Sequence, residues 1–160
     1  MKKNISIIIL TISTMMMVGC AITEVSPLPY DPMLKKITLH DNPKTTVPDF
    51  QAVLEENFNK HGIAVTRAAE FAQVGDDEYS IRYSASQLWD IATFMSSAFV
   101  TIYKGGKQVA TARYERVCQG LVTVIDFDPT KYNPPAINLR KMYDELLKNY
   151  PAQMPPISRK

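Results

Sequence analysis

The sequence predicts an α+β domain, a two-layer sandwich of a mainly antiparallel sheet with two helices packed on one face. Three stretches carry that expectation. "PDFQAVLEENFNKHG" (48–62) places Phe50, Val53, Leu54 and Phe58 at helical spacing, which gives one buried stripe. "IATFMSSAFVTIYKGGKQVATARY" (91–114) alternates like two strands around a Gly pair, and "NPPAINLRKMYDELLKNYP" (133–151) returns to the helical period.

Taken in order, a strand is expected through Ile37 and Leu39, ended by the turn-forming Asp41-Asn42-Pro43. Pro48 suits a first helical turn and Asp49 the positive end of the helix dipole. Gly62 can take the left-handed position after the helix, with Ile63 folding back onto the last turn and His61 at the negative end. "IAVTRA" (63–68) reads as the next strand. "YSIRYSASQLWD" (79–90) puts Tyr79, Ile81, Tyr83, Ala85 and Trp89 on one face of an extended chain. Gly105-Gly106 fits the positive φ angles of a type I′ turn. "LVTVIDF" (121–127) could add a strand. In the second helix Pro135 lies near the start, Leu139, Tyr143, Leu146, Leu147 and Tyr150 form the stripe, and Pro151 ends it.

The chain opens with "MKKNISIIILTISTMMMVGC", a basic pair followed by an uncharged, mostly apolar run from Ile5 to Val18. That is the layout of an export signal, and the run is too short to span a bilayer, which takes roughly 20 residues. "MVGC" (17–20) resembles the lipobox of bacterial lipoproteins, with Met17 where Leu is usual. The resemblance implies cleavage between Gly19 and Cys20, a diacylglyceryl thioether on Cys20 and an acylated new amine, with chains such as palmitate. Ala21 rather than Asp follows the cysteine, which by the sorting habit of that class implies the outer membrane, periplasmic face. The expected organisation is a signal peptide over 1–19, a Pro-rich tether over 20–34, the α+β domain over 35–150 and a flexible tail over 151–160.

Removing Lys2 and Lys3 with the signal leaves 16 of the 18 basic residues against 16 acidic ones. A mature chain of zero net charge has no field to draw nucleic acid, so no nucleic-acid partner is expected. The two cysteines are Cys20 and Cys118, so a disulfide framework is excluded if Cys20 carries lipid. Cys118 is then either buried as a small apolar group or exposed and able to crosslink.

The segment "YSASQLWDIATFMSSAFVTIYKGGKQVATARY" (83–114) resembles the centre of a family of small, functionally uncharacterised proteobacterial lipoproteins. These share a Tyr-rich strand, a Trp-Asp pair, an apolar strand and a Gly hairpin. The resemblance covers about 35–150 and implies no activity and no catalytic residues.

Candidate chemistry is sparse. His40, Asp41 and His61 do not make up the three or four ligands zinc wants. The "GDDE" acids, Asp76, Asp77 and Glu78, lack the alternating oxygen ligands of a calcium loop. No metal and no cofactor is expected. Ser96-Ser97 has no nucleophile-elbow context. Arg113 and Arg116 would lower the pKa of Cys118 if they pointed at it. Asp126 and Asp128 share a strand face and could pair as acid and base. Trp89-Asp90 is expected to serve the fold, the ring packed on one face. The leading expectation is a non-enzymatic, membrane-anchored module that binds or scaffolds another envelope protein. Its rivals are an envelope hydrolase using Asp126, Asp128 or Cys118, and a carrier holding a lipid or peptide between helix and sheet.

Overall fold

A computed structural model describes residues 21–89, 92–116 and 131–153. Its elements are β1 (Ala21–Ser26), β2 (Lys36–His40), α1 (Phe50–Lys60), β3 (Ala64–Ala68), β4 (Tyr79–Trp89), β5 (Thr93–Lys104), β6 (Lys107–Arg116) and α2 (Pro135–Leu146). The strands form one mixed six-stranded sheet in the order β1-β6-β5-β4-β2-β3. The fold is α+β with two helices, as the patterning predicts.

The central meander follows from strict alternation. Ile81, Tyr83 and Ala85 of β4, Ala98, Val100 and Ile102 of β5, and Ala110, Ala112 and Tyr114 of β6 all point into one core. Lys104 pairs with Lys107, leaving Gly105 (φ 55°) and Gly106 (φ 73°) as a two-residue loop. Positive φ at both positions matches the right-handed twist of the strands. β2 departs from the antiparallel expectation: it runs parallel to β3 and to β4. The cause is α1, which carries the chain across the sheet between β2 and β3, as a parallel connection requires.

α1 begins at Phe50, one turn position later than Pro48 suggests. Asp49 stands outside it with φ 57° and caps nothing with its side chain. The C-terminus matches the expectation closely. Gly62 (φ 74°) donates to Asn59 O (2.9 Å) and Ile63 to Phe58 O (3.0 Å), a Schellman closure. Across the core Phe50 stacks on Tyr83 at 4.9 Å between centroids, and Tyr143 of α2 meets Phe50 edge-on at 6.1 Å. Leu54, Phe58, Leu139, Met142, Leu146 and Leu147 complete the helix layer, all fully buried.

Three expectations need correction. The stretch read as a tether over 20–34 is built into the domain. Ala21–Ser26 pair residue by residue with β6 from Arg116 to Thr111. Leu28 is fully buried, its N–H donating to Leu146 O at 2.9 Å. Prolines 27, 29 and 32 give this stretch a stiff extended path, and buried Leu28 and Leu34 convert it into a strap across the core. The described start of the tail is held as well, since Gln153 N donates to Lys60 O (2.8 Å). Trp89 does not pack: it is 78 % exposed at the last β4–β5 pair, opposite Thr93. The ladder outruns the helix layer there, after a register shift between Ser86 and Gln87. The possible strand at 121–127 lies outside the described residues.

Candidate functional site

The residues that carry the lipobox reading, Gly19 and Cys20, lie outside the described residues, and β1 opens directly after them at Ala21. No described helix is long and apolar enough to cross a membrane. Cys118, Asp126 and Asp128 also lie outside the described residues, as does Asp90.

The densest polar cluster is one that pattern reading passed over. Asp31 Oδ2 accepts hydrogen bonds from Tyr79 Oη (2.7 Å) and Lys104 Nζ (2.8 Å), and Oδ1 accepts from Met33 N (2.9 Å). Asp31 N in turn donates to Tyr150 Oη (2.9 Å), which donates onward to Pro29 O (2.8 Å). The ammonium of Lys104, then the Tyr79 hydroxyl and the Met33 amide, hold the Asp31 carboxyl down from 3.8 to about 2. Burial raises the Tyr79 phenol, and so does the carboxylate it faces. A carboxylate that acidic, with both oxygens already engaged, is a poor general base. Its structural effect is plain: it clasps the 27–34 strap to β4, β5 and the segment after α2. A groove of about 250 Å³ beside it is lined by Lys35, Lys36, Asp77 and Glu78 among others. The charges there are of mixed sign, consistent with a solvated end of the domain. Only a contact map could have found this cluster, because its members come from four distant parts of the chain.

A second polar cluster sits where β2 ends. Gln51 Nε2 donates to Asp41 Oδ1 and to Tyr83 Oη, and Asn42 Nδ2 donates to Tyr83 O (2.7 Å). Asp41 thus ties the loop after β2 to α1 and is not paired with His40. His40 is buried, with Nδ1 3.2 Å from Ala69 O. His61 Nδ1 lies 2.6 Å from Tyr150 O, some distance along the chain from His40's neighbours. Among the described residues no cluster of three His, Cys, Asp or Glu is placed to hold a metal. Asp76, Asp77 and Glu78 occupy an exposed turn, Glu78 Oε2 accepting from Gly75 N (3.1 Å). Ser96 Oγ donates to Ser86 O (3.0 Å).

The sheet face away from the helices carries Ser84, Ser86, Ser97, Thr101 and Thr111 in alternation with the buried residues. Two aromatic rings on it are covered by guanidinium groups: Arg82 lies 5.9 Å from the Tyr103 centroid and Arg113 5.7 Å from that of Phe99. Arg113 also pairs with Glu115 and approaches Glu24 at 3.8 Å. It is therefore engaged along the sheet. The space between the two layers, where a carried ligand would sit, is occupied by Phe50, Tyr83, Tyr143 and the aliphatic side chains around them.

No protein-family profile matches the chain, and no curated sequence matches it. Among solved structures, a single-substitution variant of the PelC dodecamer from Paraburkholderia phytofirmans superposes with a TM-score of 0.52 at 15 % identity, covering 79 % of this chain and 97 % of that one. A second crystal form of the PelC dodecamer gives 0.49 at 11 % identity over 84 % and 99 %. A minor lipoprotein from Acinetobacter baumannii gives 0.35 at 13 % identity over 75 % and 98 %. The first of these establishes a shared fold for the α+β domain described here, and nothing beyond the fold.

Proposed function

We propose that this chain is a lipoprotein of the bacterial cell envelope, anchored by acyl chains on Cys20 and acting as a binding or scaffolding module without catalysis of its own. The observation that carries the reading is "MVGC" (17–20) placed at the end of a short uncharged apolar run and directly before the first strand of the domain. Each buried CH₂ of an acyl chain contributes about 0.8 kcal/mol, so several chains hold the protein to the bilayer securely. Ala21 after the cysteine favours the outer membrane, periplasmic face. A scaffolding role agrees with a helix–sheet interlayer filled by side chains and with an Asp31 cluster whose groups are saturated by one another. The PelC neighbour is a dodecamer, which makes self-association the form of scaffolding to test first.

Cys20→Ala is expected to leave an uncleaved precursor of 160 residues and to abolish labelling by a radioactive or alkyne-bearing palmitate. Normal cleavage with unchanged membrane fractionation would defeat the reading. Density-gradient separation distinguishes outer from inner membrane. Light scattering on the detergent-extracted protein reads its assembly state.

A further inference from the structure

From the register of the sheet, we infer that the tip of the β4–β5 hairpin, Leu88 and Trp89, is a second membrane contact that lies against the lipid bilayer beside the acylated Cys20. The inference rests on the anchoring proposed above. Its starting point is the missing tether. β1 begins at Ala21 and is paired from that residue onward, Ala21 with Arg116. One residue of chain spans at most about 3.6 Å, so a lipidated Cys20 leaves the domain no room to stand off. The end of the sheet at which β1 starts must therefore face the bilayer.

Strand directions place the hairpin tip at that same end. β1 starts there, β6 finishes there, β5 starts there and β4 finishes there, each antiparallel to its neighbour. Ile22 pairs with Glu115, Glu115 with Ser97 and Ser97 with Ser86, so these four residues are level across the sheet. Trp89 is three residues beyond Ser86, and Ala21 one residue beyond Ile22. At about 3.4 Å per residue Trp89 then reaches about 7 Å past Ala21 in the direction of the membrane. Three strand spacings of about 4.8 Å set it roughly 14 Å to the side of β1. A reach of that size matches the depth of roughly 5 to 10 Å at which interfacial groups bury their apolar parts.

The side chains fit a bilayer surface. Leu88 is 58 % and Trp89 78 % exposed, and Ile22 and Tyr132 are exposed at the same end, Tyr132 lying edge-on to Phe94, which pairs with Leu88. Tryptophan and tyrosine favour the headgroup level, where the ring is half in hydrocarbon and its polar atom stays hydrated. The opposite end of the domain, around the Gly105-Gly106 turn, carries Lys104, Lys107, Asp76, Asp77 and Glu78. That end also exposes Met33 and Phe71, and Glu115, Arg116 and Lys131 stand at the Trp89 end. What distinguishes the exposed apolar side chains at the Trp89 end is that they lie level with the start of β1. Two attachment points, the acyl chains and the hairpin tip, would stand the strands upright on the membrane and fix which faces of the domain remain open to a partner.

Trp89 is the sole tryptophan of the chain, so its emission reports this contact directly. The full-length protein, produced with its own signal, is reconstituted into phosphatidylethanolamine–phosphatidylglycerol vesicles with plain or dibrominated acyl chains. Mass analysis of the N-terminal peptide tests the state of Cys20 separately. Emission shifted to shorter wavelength and strongly quenched by the brominated chains is the expected result. The chain from Ala21 onward, produced without the signal and so without lipid, should bind the same vesicles weakly with Trp89 quenched, and Leu88→Ser in that chain should lower the binding on the order of tenfold. Emission of a water-exposed indole in vesicle-bound protein overturns the inference while leaving the anchor intact. A blue shift without quenching also overturns it, because a second copy or another protein then covers the tip. If Cys20 proves unmodified the anchoring falls, and the inference falls with it unless quenching persists.

Discussion

Asp31 shows how a single side chain can decide what a segment is. In isolation "PYDPM" reads as linker, but in the fold its carboxylate collects Lys104, Tyr79 and the Met33 amide. Because those partners favour the ionised form, the folded carboxyl sits at about 2, below its ordinary value of 3.8. A depressed pKa contributes stability that is present above the unfolded value and is lost as pH falls through the folded one. Acid titration should therefore show a loss of stability between about pH 4 and pH 2 that Asp31→Asn largely removes. Denaturant midpoints across that range compare the two proteins; identical acid profiles would show that the clasp carries no stability. At pH 7 the variant should already be weaker, since the amide cannot pair with the Lys104 ammonium.

At the scale of elements, the β5–β6 hairpin and the strap before β2 make opposite cases. The hairpin turn is specified locally, by two glycines at φ 55° and 73°. They are not equivalent, however. A Cβ at Gly105 would meet Asp76 O at 2.0 Å, whereas one at Gly106 would meet nothing within 4 Å. Gly106→Ala should cost about 1 to 3 kcal/mol from backbone strain alone, and Gly105→Ala clearly more because the Asp76 backbone must also move. Equal unfolding midpoints for the two variants would show that the turn, not the contact, sets the cost. The strap depends on packing: Leu28 is fully buried, so Leu28→Ala should destabilise the domain by about 2 to 5 kcal/mol, the range for deleting a buried leucine. A loose tether would give almost nothing. Chemical denaturation of the chain from Ala21 onward, produced without signal or lipid, avoids detergent in both measurements.

For the whole molecule, the proposed anchoring at Cys20, taken with the absorption of 21–34 into the fold, has orientation as its consequence. A domain on a flexible linker samples all attitudes to its membrane; a domain whose first strand starts next to its anchor does not. β1 is an edge strand of the sheet with β3 at the other edge, and open edges are where sheets recruit further chains. Holding the strands upright would present both edges sideways along the membrane plane, which suits lateral assembly of copies. The sheet face away from the helices, with Arg82 on Tyr103 and Arg113 on Phe99, would likewise face along the plane. The quenching and light-scattering measurements above address these two aspects separately.

The sequence by itself determined whatever is encoded at short range. Alternation in 79–89 and 93–116, the Gly105-Gly106 turn, the stripe of α1 with its Gly62 closure, and the stripe of α2 are all written in neighbouring residues. The lipobox resemblance is equally local. Tertiary structure alone decided the features that depend on distant partners. "AITEVS" has too little hydrophobic patterning to declare itself a strand, and becomes one because β6 offers it an open edge from Thr111 to Arg116. β2 looks like any short strand, and only the crossing of α1 makes it parallel. Trp89 keeps the alternation expected of a core residue, yet the helix layer ends before it does, leaving the ring in the open. Asp31 gathers its partners across 48, 73 and 119 positions of chain. Periodicity reports which side a residue faces, whereas what stands on that side is set by the packing of elements remote in sequence.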